Sequence, residues 1–159
     1  MVTTKIEIKN HLREYVVGRY NDFNEKSPVR FPDQIDLYIL IWDLLVKRPE
    51  NCHIDKGNLE IILPERYGSK SPEYYNYLGS RSQKKIEQKI EIMMWADFRE
   101  FIENERHKNG TRIVDSVHLF MSKYGINSIS EDALVKSYYR WRNRVREREK
   151  RAYSKKKFQ

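Results

Sequence analysis

Residues 130–157, SEDALVKSYYRWRNRVREREKRAYSKKK, predict one long helix with an apolar face and a strongly positive face. The apolar side chains recur at the i, i+4, i+7 and i+11 spacing of a single helix face: Leu134, Tyr138, Trp141 and Val145. At about 100° per residue they fall within a band roughly 60° wide, which we call the apolar stripe. One side of the helix can therefore pack against the rest of the protein while the other keeps cations in water.

The cations of this helix are predicted to lie away from the apolar stripe. Lys136, Arg140 and Arg144 are expected on the far side of the helix, and Arg142, Arg146 and Lys150 on its flank. A dense positive surface of this kind favours a polyanion as the partner.

The net charge of the chain is concentrated in the same region. Residues 1–109 contain 18 Lys and Arg against 18 Asp and Glu, whereas residues 110–159 contain 13 against 5 and carry the whole net charge of +8. A neutral body joined to a basic region is typical of contact with nucleic acid. The alternatives are a solvated surface that keeps the protein soluble, an acidic protein partner, or an acidic membrane. A membrane fits less well because the apolar stripe is narrow and the body needs it.

Length and composition indicate one domain, or one domain with a small appendage, that is large enough to bury a core. The aromatic content of 13% argues against wholesale disorder, and the single cysteine, Cys52, excludes an intramolecular disulfide. The first 15 residues contain no apolar signal segment, and the longest apolar run, residues 35–46, is too short to span a bilayer. We therefore expect a soluble, cytoplasmic protein without a membrane partner.

Four further helices are predicted from hydrophobic spacing, over residues 8–20, 33–48, 81–107 and 111–124. Residues 33–48 are apolar on nearly every side, which predicts a central core helix capped by Asp33 or, alternatively, a helix with part of its surface in a dimer interface. In the helix over 81–107, Asp97 falls on an apolar face and requires a partner or local exposure. Ser71 and Pro72 are typical of a further helix start.

The expected fold is a mainly α-helical, compact domain with at most a small two-stranded β element. Residues 29–31 and 59–62 are the candidates for that β element. Residues 1–109 are expected to form a neutral helical core region. Residues 110–159 are expected to form a basic helix-turn-helix-like pair that packs on it and ends in the long basic helix.

The junction of that pair carries clear end signals. Thr111 is the candidate cap of the first helix, and Gly125 occupies the left-handed position after its last turn, with Ile126 placed for the accompanying hydrophobic contact. The residues Ser128-Ile-Ser-Glu131 match a capping box, after which the basic helix begins.

The pair is similar to a DNA-reading helix-turn-helix only in a loose sense, and an ordinary helical hairpin is the alternative. Its turn is longer, and the second helix begins with Glu131 and Asp132, which phosphates would repel. We therefore expect contact through the middle and end of the basic helix, dominated by phosphates rather than by base edges. The candidate nucleic-acid-binding residues are Lys136, Tyr139, Arg140, Arg142, Asn143, Arg144, Arg146, Lys150 and Arg151. Among them, Asn143 could read a base edge and Tyr139 could stack on a base.

Signals of catalysis are poor. The four histidines are scattered, and the chain contains neither an H-E-x-x-H motif nor a phosphate loop. Pro32-Asp33 and Glu87-Gln-Lys89 match the letters of a nuclease motif, but the second part lies on a predicted helix instead of a strand. We expect a protein that is not an enzyme and that uses no cofactor or metal.

Several runs of the chain carry a resemblance to known proteins: HLREYVVGRYN (11–21), VRFPDQIDLYILIWDLLVKRP (29–49), DKGNLEIILP (55–64), YYNYLGSRSQKKIEQKIEIMMWADF (74–98) and KYGINSISEDALVKSYYRWR (123–142). Together they resemble small proteins without an assigned activity that Mu-like prophages and other mobile elements of gut anaerobes encode. The helical pair is also distantly similar in layout to the middle-operon transcription regulators of Mu-like phages, which dimerise and end in a helix-turn-helix.

These observations predict a non-enzymatic DNA-binding protein of a phage or mobile element, for which the resemblance implies a regulatory role and a homodimer. The competing interpretation is a protein-interaction or structural component of a phage or conjugative assembly. In that case the basic helix would bind an acidic partner or complete an oligomer.

Overall fold

The computed structural model describes residues 1–159 as five helices and two small sheets. In chain order the elements are β1 (Thr3–Ile6), α1 (Asn10–Tyr20), α2 (Asp36–Leu44), β2 (Val46–Lys47), β3 (Leu59–Ile62), β4 (Tyr75–Tyr77), α3 (Ser80–Asn109), α4 (Ile113–Tyr124) and α5 (Glu131–Lys157). The predicted fold, mainly helical with a small β component, is confirmed.

Helix α3 is the centre of the molecule, and the other helices pack around it. Its buried side chains are spaced four residues apart and form one continuous apolar line: Ile86, Ile90, Met94, Phe98 and Ile102. The helix ends at Gly110, whose φ of 65° places it in the left-handed region that glycine tolerates without a Cβ clash. The prediction of a long central helix over residues 81–107 is therefore confirmed.

Helix α2 is shorter and more exposed than the sequence predicts. It spans nine residues, of which only Leu37 and Ile41 are buried, while Ile39 is 39% exposed. The prediction of a central core helix over residues 33–48 is wrong, because α2 packs one face on α3 and leaves the other at the surface. No helix of the molecule is both long enough and apolar enough to cross a membrane.

The end of α2 is capped by a distant lysine that the local pattern does not reveal. The Lys70 ammonium donates hydrogen bonds to the carbonyl oxygens of Trp42, Asp43 and Leu45, at 3.1, 2.9 and 3.1 Å. These carbonyls would otherwise lack partners at the helix end, where a cation is also favoured by the helix dipole. Leu45 turns to extended backbone, with ψ of 131°, and the chain enters β2.

The first sheet pairs β1 with β3 in antiparallel register, from Thr3 opposite Ile62 to Ile6 opposite Leu59. Val29 adds a single parallel bridge on the other side of β3. The predicted pairing of residues 29–31 with residues 59–62 is thus limited to this bridge. The main partner of β3 is β1, which lies more than 50 residues away and was not predicted.

The second sheet pairs β2 with β4 across an irregular register. The helix start predicted at Ser71 and Pro72 is wrong, because β4 begins at Tyr75. The Ser71 carbonyl accepts hydrogen bonds from the Tyr74 and Tyr75 amides at 3.0 and 2.9 Å, so a single turn forms before the chain extends into β4.

One hydrophobic core of 25 buried side chains runs through the whole molecule, from Ile6 to Tyr138. Phe98 on α3 joins the core to the helical pair, because its ring lies edge-on to Phe120 of α4 and to Tyr138 of α5, with centroids 5.1 and 6.4 Å apart. Edge-to-face contacts of this kind add specific geometry to the area that the rings bury. The orientation of α5 is therefore set by the core.

Candidate nucleic-acid interface

The turn before α5 begins with the helix end that the sequence predicts. Gly125 has φ of 65°, and the Ile126 amide donates to the Met121 carbonyl at 2.9 Å. The Gly125 amide approaches the Ser122 carbonyl at 3.4 Å, and the Ile126 side chain is buried. This is the paired hydrogen-bond arrangement of a glycine-terminated helix with its hydrophobic contact.

The start of α5 differs from the predicted capping box. Ser130, not Ser128, is the cap, and its side chain accepts a hydrogen bond from the Ala133 amide at 3.2 Å. Glu131 instead lies 2.7 Å from the His118 ring of α4. Thr111 likewise does not cap α4, because its hydroxyl donates to Glu105 at the end of α3.

Ser128 forms hydrogen bonds with a carboxylate on α1 instead of capping α5. Glu14 accepts hydrogen bonds from the Asn127 and Ser128 amides at 2.7 and 3.0 Å, and also from the Ser128 hydroxyl. A carboxylate that accepts several amide hydrogen bonds holds a turn firmly because each bond is charge-assisted. Glu14 therefore fixes the turn between α4 and α5 against α1.

The backbones of α1 and α4 also touch directly. Gly18 packs against the carbonyl group of Tyr124, so closely that a Cβ at this position would overlap the carbonyl oxygen. The structure shows that α1 continues to Tyr20 and that the glycine permits this close approach.

The apolar stripe holds the first half of α5 on the body. Leu134 and Tyr138 are fully buried, and Trp141 and Val145 are partly buried. The Tyr138 hydroxyl donates to Glu103 and accepts a hydrogen bond from Arg106 at 3.0 Å, so its polar atom is satisfied at the interface with α3.

These contacts also set the charge state of the interface. Burial would raise the pKa of the Glu103 carboxyl, but hydrogen bonds from Tyr138 and His107 and the nearby Arg106 charge outweigh it and lower the pKa. Glu103 is thus an ionised anchor for α5 at neutral pH.

The second half of α5 leaves the body. Every residue from 146 to 157 is exposed, and no side chain after Val145 joins the core. Twelve residues of helix span roughly 18 Å. This segment, which we call the projecting half, contains Arg146, Arg148, Lys150, Arg151, Lys155, Lys156 and Lys157.

The candidate cations of α5 are almost all without partners. Lys136 pairs with Asp132 at 2.8 Å. The remaining candidates form no ion pair: Arg140, Arg142, Arg144, Arg146, Lys150 and Arg151. In the body, Arg19 pairs with Asp97 and Arg48 pairs with Asp55, although surface lysines such as Lys84 are also unpaired there. The cations of α5 are therefore available to an external anion.

Arg144 is exposed and acts on a cation of helix α3. It is close enough to Arg99 of α3 that its charge, together with burial as the larger cause, lowers the Arg99 pKa. Arg99 also stacks on Trp141, with its guanidinium carbon 5.4 Å from the ring centroid. The basic surface thus extends to Arg99, which the sequence did not reveal because it belongs to another helix.

The two non-cationic candidates are exposed beside these arginines. Tyr139 is 45% exposed, and its ring leans edge-on against Tyr138 with a centroid distance of 6.0 Å. Asn143 lies one turn further along α5 and presents its amide to solvent. Both groups can therefore reach a molecule that lies along the outer side of α5. Arg148 and the three lysines 155–157, which were not among the candidates, share the same exposure.

Comparisons with known proteins add no family or relative. No protein-family model, no curated protein sequence and no solved structure matches the chain.

Proposed function

We propose that the protein binds DNA without catalysing a reaction, and that α5 provides the binding surface through its contacts with phosphates. The resemblance described above supports a role in a phage or mobile element, as a regulator. The observation that carries the proposal is the absence of ion-pair partners for the cations of α5 after Lys136, in a molecule whose body carries no net charge. Unpaired surface cations bind phosphates by releasing the counterions that DNA condenses.

The acidic start of α5 does not oppose this proposal. Glu131 is engaged by His118 and Asp132 by Lys136, and both lie at the end of the helix away from the projecting half. Both carboxylates also suit the positive end of the helix dipole. Asp132 is therefore paired with a cation, and Glu131 is held in a hydrogen bond, before DNA approaches.

The test is fluorescence anisotropy of a labelled random duplex over a salt series. With roughly five to eight phosphate contacts, the logarithm of the binding constant should fall with the logarithm of salt at about −0.9 per contact. Replacing Arg140, Arg142, Arg144 and Arg146 together by Gln should reduce the magnitude of that slope by about 3.6, with the fold unchanged.

The matched control removes four exposed, unpaired lysines from the body: Lys26, Lys56, Lys84 and Lys85, each replaced by Gln. This variant has the same net charge and should bind like the wild type. An equal loss in both variants would show that net charge alone governs binding. No binding at low salt would exclude the proposal.

An interaction or structural role is the second candidate, and an exposed apolar pair on α3 favours it. Ile92 is 65% exposed next to the half-buried Trp95, on a helix that is otherwise central. Under this alternative the protein forms a homodimer or binds a partner protein through this face. Light scattering after size-exclusion chromatography, with Ile92→Ser as the comparison, distinguishes a dimer from a monomer.

A further inference from the structure

The cations of the projecting half surround the helix instead of lining one side. At about 100° per residue, Arg146 and Lys150 lie within roughly 40° of each other, and Arg148 and Lys155 lie on nearly the opposite side. All four side chains are exposed, and none forms an ion pair. A partner that contacts only one side of the helix would leave about half of these cations without a contact.

The two acids of the segment do not neutralise these cations. Glu147 and Glu149 form no ion pair in the structure. Several cations instead face one another at the i, i+4 spacing, at which like charges repel: Arg144 with Arg148, Arg146 with Lys150, and Arg151 with Lys155. The helix therefore gains most from a partner that places negative charge on two sides at once.

The dimensions of such a partner are those of a groove. An α-helix with its side chains is about 10–12 Å wide, and the major groove of B-form DNA is about 12 Å wide with phosphates along both walls. The major groove of A-form RNA is too deep and narrow for side chains to read. No other element covers the projecting half, so its whole circumference is open to a partner.

We propose that the projecting half of α5 enters the major groove of duplex DNA, where Arg146 and Lys150 contact the phosphates of one strand and Arg148 and Lys155 those of the other. This proposal rests on the proposed DNA-binding function and adds the mode of binding. It also limits the preferred ligand to a B-form duplex.

The test compares two matched double variants of the full chain, Arg146→Gln with Lys150→Gln and Arg148→Gln with Lys155→Gln. Each pair removes two exposed charges from one side of the same helix segment. The probes are a labelled 20-base-pair DNA duplex, the corresponding RNA duplex and the single DNA strand, each titrated over a salt series. Circular dichroism of both variants verifies that the helix content is retained.

Groove entry predicts that both variants reduce the magnitude of the salt slope by a similar amount, about 1.8 for two lost contacts, and that the DNA duplex binds tightest. If only one variant weakens binding, or if the RNA duplex binds as tightly as DNA, groove entry is wrong while DNA binding stands. If the wild type binds none of the probes at low salt, the proposed function itself fails.

Discussion

At the scale of single residues, two tyrosines show how the helices are joined. Tyr15 of α1 and Tyr138 of α5 are both fully buried, and each hydroxyl donates to a carboxylate of α3, Asp97 and Glu103 respectively. An arginine completes each cluster. The sequence predicted that Asp97 would require a partner or local exposure, and the structure supplies the partners in Tyr15 and Arg19. Burying a hydroxyl without such partners would cost free energy, so these clusters favour one docking arrangement.

Gly18 provides a first prediction at this scale. Replacing it by Ser should lower the free energy of unfolding by about 1–3 kcal/mol, because the new Cβ would overlap the Tyr124 carbonyl and push α1 away from α4. Helix propensity alone would predict a gain of roughly 0.5 kcal/mol. Urea unfolding measures the difference. Gly79→Ser is the control, since a Cβ there meets its nearest atom at 3.8 Å and Ser suits a helix cap, and it should leave stability unchanged or slightly raised.

Asp55 provides a second prediction, which concerns pH. Its carboxylate accepts hydrogen bonds from Arg48 at 2.6 and 3.1 Å and from Thr4 at 2.8 Å, and so links β1 to the segment after β2. The hydrogen bond with Arg48 is the main cause that holds the Asp55 pKa below its ordinary value near 3.8, although burial opposes it. Because the folded-state pKa is the lower one, this contribution to stability is complete above pH 4 and is lost as pH falls through the folded-state pKa.

Asp55→Asn should therefore lower the free energy of unfolding at pH 7 by about 1–2 kcal/mol and make it less sensitive to acid below pH 4. Urea unfolding between pH 2.5 and pH 7 measures both effects. Asp33→Asn is the control because Asp33 is exposed and unpaired, so its acid profile should match the wild type. An acid profile for Asp55→Asn identical to that of the wild type would contradict the assignment.

At the scale of elements, the sequence predicted what neighbouring residues determine. The helical periods of α1, α3, α4 and α5 and the glycine end of α4 all depend on side chains within a few turns of one another. Three features depend on distant residues and were missed or misplaced. Lys70 caps the end of α2, Glu14 binds Ser128, which was expected to cap α5, and the first residues of the chain pair with β3. The hydrophobic periodicity of a segment depends only on its own residues, so it does not reveal such long-range partners.

The first half of α5 is predicted to contribute to stability, and the projecting half to binding. Deleting residues 146–159 should change the free energy of unfolding by less than about 0.5 kcal/mol, because no side chain in that segment is buried. Under the proposed function, the same deletion should remove most of the salt-dependent binding to duplex DNA. Thermal unfolding and anisotropy on one preparation measure both quantities. A large loss of stability would show that the projecting half supports the body.

At the scale of the whole molecule, the sequence predicted which region carries the net charge. It did not predict what surrounds each charged side chain. The count of charged residues along the chain is enough to locate the basic region in residues 110–159. Whether each cation of α5 faces solvent, another cation or the core depends on how far along α5 the rest of the protein packs against it. Tyr138 docks α5 on α3, and this contact brings Arg144 near Arg99, which the count of charges along the chain does not reveal.

The projection of a charged helix from a neutral body also gives the molecule a large permanent electric dipole. In the field of a polyanion such a dipole experiences a torque, which turns the projecting half of α5 toward the polyanion before the two molecules touch. Rotational alignment of this kind raises the productive fraction of collisions, and added salt screens it within about 10 Å at 0.1 M. The shape of this protein would therefore govern how quickly it finds a polyanionic partner as well as how tightly it holds one.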